Sequence, residues 1–305
     1  MLRYTDITGR QVDKVQTAVE RLKAFEPEDG YYVAFSGGKD SQCIYHLCVR
    51  AGVKFDAHYS VTSVDPPELV RFIKTQYTDV SVDIPHDKDG KPVTMWSLIA
   101  KKKMPPTRTC RYCCDHLKER TGGGRIVVTG VRWEESARRK NNSNIVKAIG
   151  KAAIQAASET GVRYVRTKQG GLILNYDDAE TRRTVEQCYR TSKVLLNPIV
   201  DWTEEEVWEY LNEVEKVPHC ELYDRGMKRL GCIGCPMNTR AEEELEAYPK
   251  YRDNYLRAFG RMLQEREKAG LPTKWTSAQD VMDWWLGKKR LVDKVDGQMD
   301  LWEEE

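Results

Sequence analysis

No stretch of this sequence approaches the roughly 20 consecutive apolar residues of a membrane-crossing helix, and the N-terminus has no apolar secretory core. A helical membrane span is therefore not expected, and the cytoplasm is the expected compartment. Charge excess is missing too: 49 Lys and Arg against 47 Asp and Glu leave +2, so only local basic runs could argue for nucleic acid. There is no internal repeat, and no low-complexity segment beyond the acidic tail Glu303 to Glu305, which is expected to fray. What the chain does have is length, since 305 residues can bury a full core as one large domain or two modest ones. It also has nine cysteines, which in a reducing cytosol read as metal ligands or reactive thiols rather than a disulfide framework.

The chemistry begins at residues 31–41, Tyr-Tyr-Val-Ala-Phe-Ser-Gly-Gly-Lys-Asp-Ser. Tyr32, Val33, Ala34 and Phe35 form a continuous apolar run suited to a buried parallel strand, and Gln42 to Ala51 places Ile44, Leu47 and Cys48 at helical spacing. Between them, Gly37 and Gly38 permit positive φ and close backbone approach, so successive N–H groups can face one anion at the positive end of the next helix. Phosphate is the natural anion. Lys39 can neutralise it, Asp40 can hold magnesium or a hydroxyl, and Ser36 and Ser41 can donate hydrogen bonds. The turn is too compact for Gly-x-x-x-x-Gly-Lys-Ser/Thr and is not a dinucleotide fingerprint. A glycine turn that binds nothing is the plain alternative.

Elsewhere the pattern alternates strands and helices. Val12, Val15, Val19, Leu22 and Phe25 predict a helix over residues 11–26, and Phe55 to Val64 a strand that prolines end at Asp65-Pro66-Pro67-Glu68. Val80 to Ile84 and Ile126 to Val131 read as further strands, with Val93 to Ala100 a helix between them. After the polar break Asn141 to Asn144, alternating Val162-Tyr164-Val165 and Leu172-Leu174 around Gly170-Gly171 predict a hairpin. It reads as an insertion over the site, whose Arg163, Arg166 and Lys168 could touch a polyanion or merely face solvent. Residues 194–199 restore a strand, and Thr203 with Glu206 forms a helix-capping pair. Residues 241–269 predict one long charged helix and 277–286 a tryptophan-rich one.

Cys232-x-x-Cys235, flanked by Gly231, Gly234 and Pro236, reads as a knuckle whose glycines let N–H groups turn toward two thiolates. Its missing partners lie in Cys110, Cys113 and Cys114, and two sets compete. Cys110 and Cys113 complete a four-cysteine zinc site, whereas Cys113 and Cys114 suit a 4Fe-4S cubane with separate iron corners.

The Ser36–Ser41 loop resembles the pyrophosphate loop of the adenine nucleotide α-hydrolases, which grips the β and γ phosphates of ATP. Cys113-Cys114…Leu117-Lys118, Asp201-Trp202-Thr203…Val207-Trp208 and Tyr223…Gly226…Leu230-Gly231-Cys232-Ile233-Gly234-Cys235 resemble the phosphoadenylylsulfate reductase family. So does Gly130-Val131-Arg132…Glu135-Ser136…Arg139. Asp65 and Glu68 look like that family's Asp-Thr-Gly…Pro-Glu segment with the glycine absent. The resemblance covers roughly residues 31–236. It implies a Rossmann-like α/β fold with a mostly parallel sheet, residues 1–200 binding nucleotide around an insertion at about 140–190, and a helical region 201–305. The latter contributes Cys232 and Cys235 to a metal site with Cys113 and Cys114, Cys110 being the alternative ligand.

Two departures shape the functional expectation. The reductases end in a Glu-Cys-Gly-Leu-His tail, whereas no cysteine follows Cys235 here, and the full Ser-Gly-Gly-Lys-Asp-Ser is typical of members that cleave ATP. The resemblance then implies an ATP pyrophosphatase that adenylates an acceptor for iron–sulfur-dependent sulfur transfer, as in nucleic-acid thiolation. Lys39, Asp40, Arg132 and Arg139 are the expected catalytic residues, and Ser36, Gly37, Gly38, Ser41, Asp65 and Gly130 the nucleotide contacts. Magnesium and a 4Fe-4S cluster are the expected cofactors, with zinc as the alternative to the cluster. The cluster, Cys110, Cys188 or Cys220 could carry the sulfur. A nucleic acid or a sulfur-donor protein is a compatible partner, an oligomer is compatible, and a membrane is not. Adenylylsulfate or phosphoadenylylsulfate reduction is the rival activity, and a non-catalytic iron–sulfur sensor the second rival.

Overall fold

The computed structural model of the protein describes residues 1–168, 170–174 and 176–289, so the acidic run Glu303 to Glu305 lies outside the described residues. The described residues group into two units, one of Met1–Val61, Asp65–Pro85 and Lys118–Gly231, the other of Thr62–Val64, His86–Leu117 and the described residues from Cys232 onward. Residues 201–231, expected with the C-terminal region, thus group with the first unit. The reason is apolar: Trp202, Val207, Tyr210 and Leu211 share the core of the first unit.

The first unit opens with a ribbon, β1 (Arg3–Thr5) antiparallel to β2 (Gln11–Asp13). The helix expected over 11–26 is therefore shorter, Lys14–Ala24, because Asp13 ends the strand and caps the helix by accepting the Gln16 N–H. The central sheet comprises β3 (Tyr31–Ala34), β4 (Phe55–Ser60), β5 (Ser81–Asp83), β6 (Ile126–Val128), β7 (Val146–Ile149), β8 (Tyr164–Arg166), β9 (Leu172–Leu174) and β10 (Lys193–Leu196). Their order is β5-β4-β3-β6-β10-β7-β9-β8. The first five in that order run parallel, and β7, β9 and β8 continue the sheet antiparallel. This is the expected α/β fold with a mostly parallel sheet.

Two expectations change. The hairpin β8–β9 forms, but it pairs through β9 onto β7 and widens the sheet instead of standing over the site. Burial of Leu172, Ile173 and Leu174 against the sheet core drives that docking. In the second unit, the single helix expected over 241–269 is two, Ala241–Ala247 and Pro249–Lys268. Tyr248, at φ −122° and ψ 68°, breaks the helical run, and Pro249, which has no N–H to continue the first helix, starts the second. Helix Pro249–Lys268 packs on Met95–Lys102 and Ala278–Trp285 around Leu98, Ile99, Tyr255, Phe259, Met262 and Val281.

From β3 the chain proceeds to β4 and β5 on one side, then returns to place β6 and β10 on the other. The order reverses between β3 and β6, so the crevice beyond their carboxyl ends is the topological switch point where open α/β sheets bind ligands. The Ser36–Ser41 loop follows β3, and Gly130 to Arg132 follows β6.

Candidate functional site

The loop is shaped by two close approaches and one hydroxyl. Gly37 has φ +71°, and a Cβ there would lie 2.7 Å from Ile73 Cγ1 and 2.8 Å from Leu69 Cδ1, so only glycine fits. Gly130 packs against the next residues of the loop: its Cβ would fall 2.8 Å from both the Asp40 Cβ and the Asp40 carbonyl oxygen. Ser41 Oγ accepts the Ser36 N–H at 3.1 Å and donates to the Gly38 carbonyl at 2.8 Å, with Ser36 Oγ 3.2 Å away. The helix Lys39–Ala51 begins at Gly38, which has no side chain to cap it. Its first N–H groups are thereby left for other acceptors.

The charged side chains are paired. Arg132 is 2% exposed and donates from Nε to Asp40 Oδ1 at 2.7 Å and from Nη1 to Glu134 Oε2 at 2.9 Å. Its backbone N–H donates to Glu135 Oε2 at 3.2 Å. Glu135 also takes the Arg139 guanidinium and lies 3.8 Å from that of Arg229. Asp65 is buried and accepts the Tyr59 hydroxyl at 2.7 Å. Lys39, 3% exposed, donates from Nζ to the Lys228 carbonyl at 3.0 Å and lies 3.4 Å from Glu204 Oε1. Its backbone N–H donates to the Tyr223 hydroxyl at 2.8 Å. Glu204, Tyr223 and Lys228 are the neighbours sequence reasoning missed. Tyr223 sits 184 residues from Lys39, and no spacing rule connects positions so far apart.

The cysteines of interest lie in the second unit: Cys110 exposed, Cys113 buried, and Cys114, Cys232 and Cys235 half-buried. Cys232 Sγ donates to Thr62 Oγ1 at 3.7 Å, and the Ile233 N–H donates to the Val64 carbonyl at 2.8 Å, which ties the knuckle to the short segment Thr62–Val64. Arg111 Nη2 donates to Cys114 Sγ at 3.2 Å. The hydrogen bond with Cys114 pushes the Cys113 thiol well up, with burial and the charges of Cys114 and Cys232 adding to it. Burial, then the charges of Cys232, Cys235 and Cys113, does the same to the Tyr255 phenol, so these thiols lie within electrostatic reach of one ring. Among the described residues, no three or more His, Cys, Asp or Glu side chains converge as ligands of a metal ion.

The knuckle differs from expectation in one respect. Gly234 does take φ +67°, but its N–H turns away from the thiols and donates to Glu244 Oε2 at 3.0 Å. Glu244 also accepts the Asn238 amide at 2.6 Å, and burial raises its carboxyl above the usual range.

A glycine turn between a parallel strand and a helix, set at the switch point of the sheet with a second strand's glycine packed on it, is the arrangement of the adenine nucleotide α-hydrolase (PP-loop) fold. Residues 30–238 match the phosphoadenosine phosphosulfate reductase domain, and the chain belongs to that family. It is 37% identical over 243 residues to the uncharacterized protein MJ0973 of Methanocaldococcus jannaschii, covering 74% of this chain and 47% of that one. To the uncharacterized protein MJ0066 of the same organism it is 24% identical over 250 residues, 80% of this chain and 43% of that one. The chain thus spans under half the length of these two relatives. A 51-residue stretch is 39% identical to the adenosine 5'-phosphosulfate reductase of Neisseria meningitidis, 17% of this chain and 20% of that one. The phosphoadenylyl-sulfate reductase of Candida auris superposes with a TM-score of 0.41 at 16% identity, covering 71% of this chain and 88% of that one. No helix among the described residues is long and apolar enough to cross a membrane.

Proposed function

We propose that the chain is a cytoplasmic ATP pyrophosphatase of this family that adenylates an acceptor for sulfur transfer. The observation that carries this reading is the complete Ser-Gly-Gly-Lys-Asp-Ser turn seated at the switch point, with Gly130 packed against Asp40. An acceptor oxygen attacks the α phosphorus, the bond to the leaving pyrophosphate breaks, and sulfur then displaces AMP from the adenylated acceptor. The protein's part is positioning and charge neutralisation. Backbone N–H groups of the loop and Lys39 hold the pyrophosphate, and magnesium would sit at Asp40, whose Oδ1 already takes Arg132. Arg132 and Arg139, paired with Asp40 and Glu135, hold those carboxylates in place beside the loop. Nucleic acid is the favoured class of acceptor.

Cys113, Cys114, Cys232 and Cys235 would be the soft-thiolate donors to a 4Fe-4S cluster, and Cys110 in place of Cys114 would serve zinc. Bound there, a cluster would supply or relay the sulfur. Reduction of adenylylsulfate is the second reading, favoured by the local match to the Neisseria meningitidis reductase.

The test is anaerobic purification followed by the visible spectrum and pyrophosphate release from ATP, comparing the natural chain with Lys39→Ala and Cys113→Ser. The expected result is a brown protein that bleaches in Cys113→Ser, and pyrophosphate release that falls about 100-fold or more in Lys39→Ala, the scale of removing one oriented charge contact. A colourless protein inert toward ATP, but releasing sulfite from adenylylsulfate with a thiol reductant, would replace this reading by the second.

A further inference from the structure

Lys39 is gripped at two points by one turn: its N–H reaches the Tyr223 hydroxyl at 2.8 Å and its Nζ the Lys228 carbonyl at 3.0 Å. A phenol can accept hydrogen bonds and donate one. The acceptor side of Tyr223 is used by Lys39, while among the described residues no acceptor takes its own proton. Burial first, then the charges of Asp40, Cys220 and Glu204, pushes this phenol up despite the Lys39 N–H, so it stays protonated and remains a donor at neutral pH.

The ring is also held in place. Trp208 packs on it edge-on at 4.9 Å, His219 lies at 6.1 Å, and Arg225 two residues on is tied to Glu68 at 3.1 Å and Glu221 at 3.0 Å. A Cβ built on Gly38 would lie 3.5 Å from the Tyr223 hydroxyl and 3.6 Å from Ser36 Oγ, so the phenol and the serine hydroxyl face one small space across the glycine. Gly38 has φ −79° and ψ 159°, angles any residue adopts, so the backbone itself does not demand glycine here. The space does.

We infer that Tyr223 is a phosphate-binding residue, its hydroxyl donating to an oxygen of the pyrophosphate moiety seated between it and Ser36. This deepens the pyrophosphatase reading and rests on it. The donor is neutral and fixed, so it adds direction to the grip where Lys39 adds charge.

Equilibrium binding of ATP, inorganic pyrophosphate and AMP to the full chain and to Tyr223→Phe tests the assignment, since phenylalanine keeps the ring and its packing on Trp208. Loss of one hydrogen bond to a charged group should weaken pyrophosphate and ATP about 10-fold or more and leave AMP within about twofold. Equal affinities of the two proteins for pyrophosphate would overturn the inference and leave the pyrophosphatase reading standing. Parallel loss of AMP and pyrophosphate would also overturn it, because Tyr223 would then merely shape the loop. A natural chain that binds neither ATP nor pyrophosphate would remove both. Should Tyr223→Phe fail to fold, Gly38→Ala reads the same space: its methyl should cost pyrophosphate about 10-fold without backbone strain, and unchanged affinity overturns the inference.

Discussion

The two units handle polarity in opposite ways. In the sheet unit, the loop is surrounded by paired charges: Arg132 with Asp40 and Glu134, Arg139 with Glu135, and Lys39 beside Glu204. Each of these cations is fixed by a carboxylate or a carbonyl of the chain itself. In the helical unit, Cys113, Cys114 and Cys232 lie among Tyr255, Phe259, Leu245 and Val281, and the hydrogen bond with Cys114, with burial behind it, pushes the Cys113 thiol up. Such thiols become ligands only by losing protons to a bound metal. Charge is set out in pairs in one unit and withheld in the other, within one chain.

The largest test of that contrast is the core beneath each site. Trp202 in the sheet unit and Phe259 in the helical unit are both fully buried, and truncation of either to alanine should cost about 3–5 kcal/mol. Hydrogen exchange should show Trp202→Ala exposing the strand peptides and Phe259→Ala exposing residues 86–117 and 249–268; identical loss of protection everywhere in both variants would break the distinction between units. Next comes Gly130→Ala, which drives a methyl into Asp40 and should cost about 1–3 kcal/mol by overpacking while abolishing nucleotide binding. Unchanged ATP affinity in that variant would show that the loop tolerates displacement.

A smaller effect sharpens the sheet side alone. Thr203 accepts the Glu206 N–H at 3.2 Å while Glu206 accepts the Thr203 N–H at 2.8 Å, and Thr203→Ala should cost about 1 kcal/mol in urea unfolding. No change in the midpoint would discard the cap as a stabilising element. The smallest concerns pH. His46 lies 3.0 Å from the Tyr77 hydroxyl, and burial pulls its pKa below the usual histidine value of 6.5. A depressed histidine favours the folded state while neutral, so its contribution is present above about pH 6.5 and is lost as pH falls through the lower folded value. The urea midpoint should therefore fall between about pH 7 and pH 5, less steeply in His46→Gln; equal slopes would assign the acid sensitivity elsewhere.

Much of the sheet was legible because its signals are local. The run Tyr32 to Phe35, the glycines after it and the helical spacing of Ile44, Leu47 and Cys48 each reflect neighbours in sequence, and strand, turn and helix stand where those patterns put them. The Thr203–Glu206 cap was legible for the same reason. Strand ends were not. The strand expected through Val64 stops at Ser60 because Thr62–Val64 belong to the helical unit, in which Val64 accepts a hydrogen bond from Ile233, 169 positions later. The hairpin was recognised as a hairpin, but its place at the sheet edge depends on β7 and β10, which an alternating pattern does not name.

By itself the sequence determined the chemical alphabet of this protein: a glycine-lysine turn after a strand, a set of cysteines, a parallel-sheet pattern and no apolar run of membrane-helix length, because each follows from residue type and short-range spacing. Only the tertiary structure decided that Arg132 is spent on Asp40, that Glu244 rather than a thiol receives the Gly234 N–H, and that Tyr223 and Lys228 close on Lys39. Arg132 and Asp40 are 92 positions apart, and Tyr223 and Lys39 are 184. The physical reason is that such partners are chosen by how buried strands and helices pack, and packing brings together residues that no local rule relates.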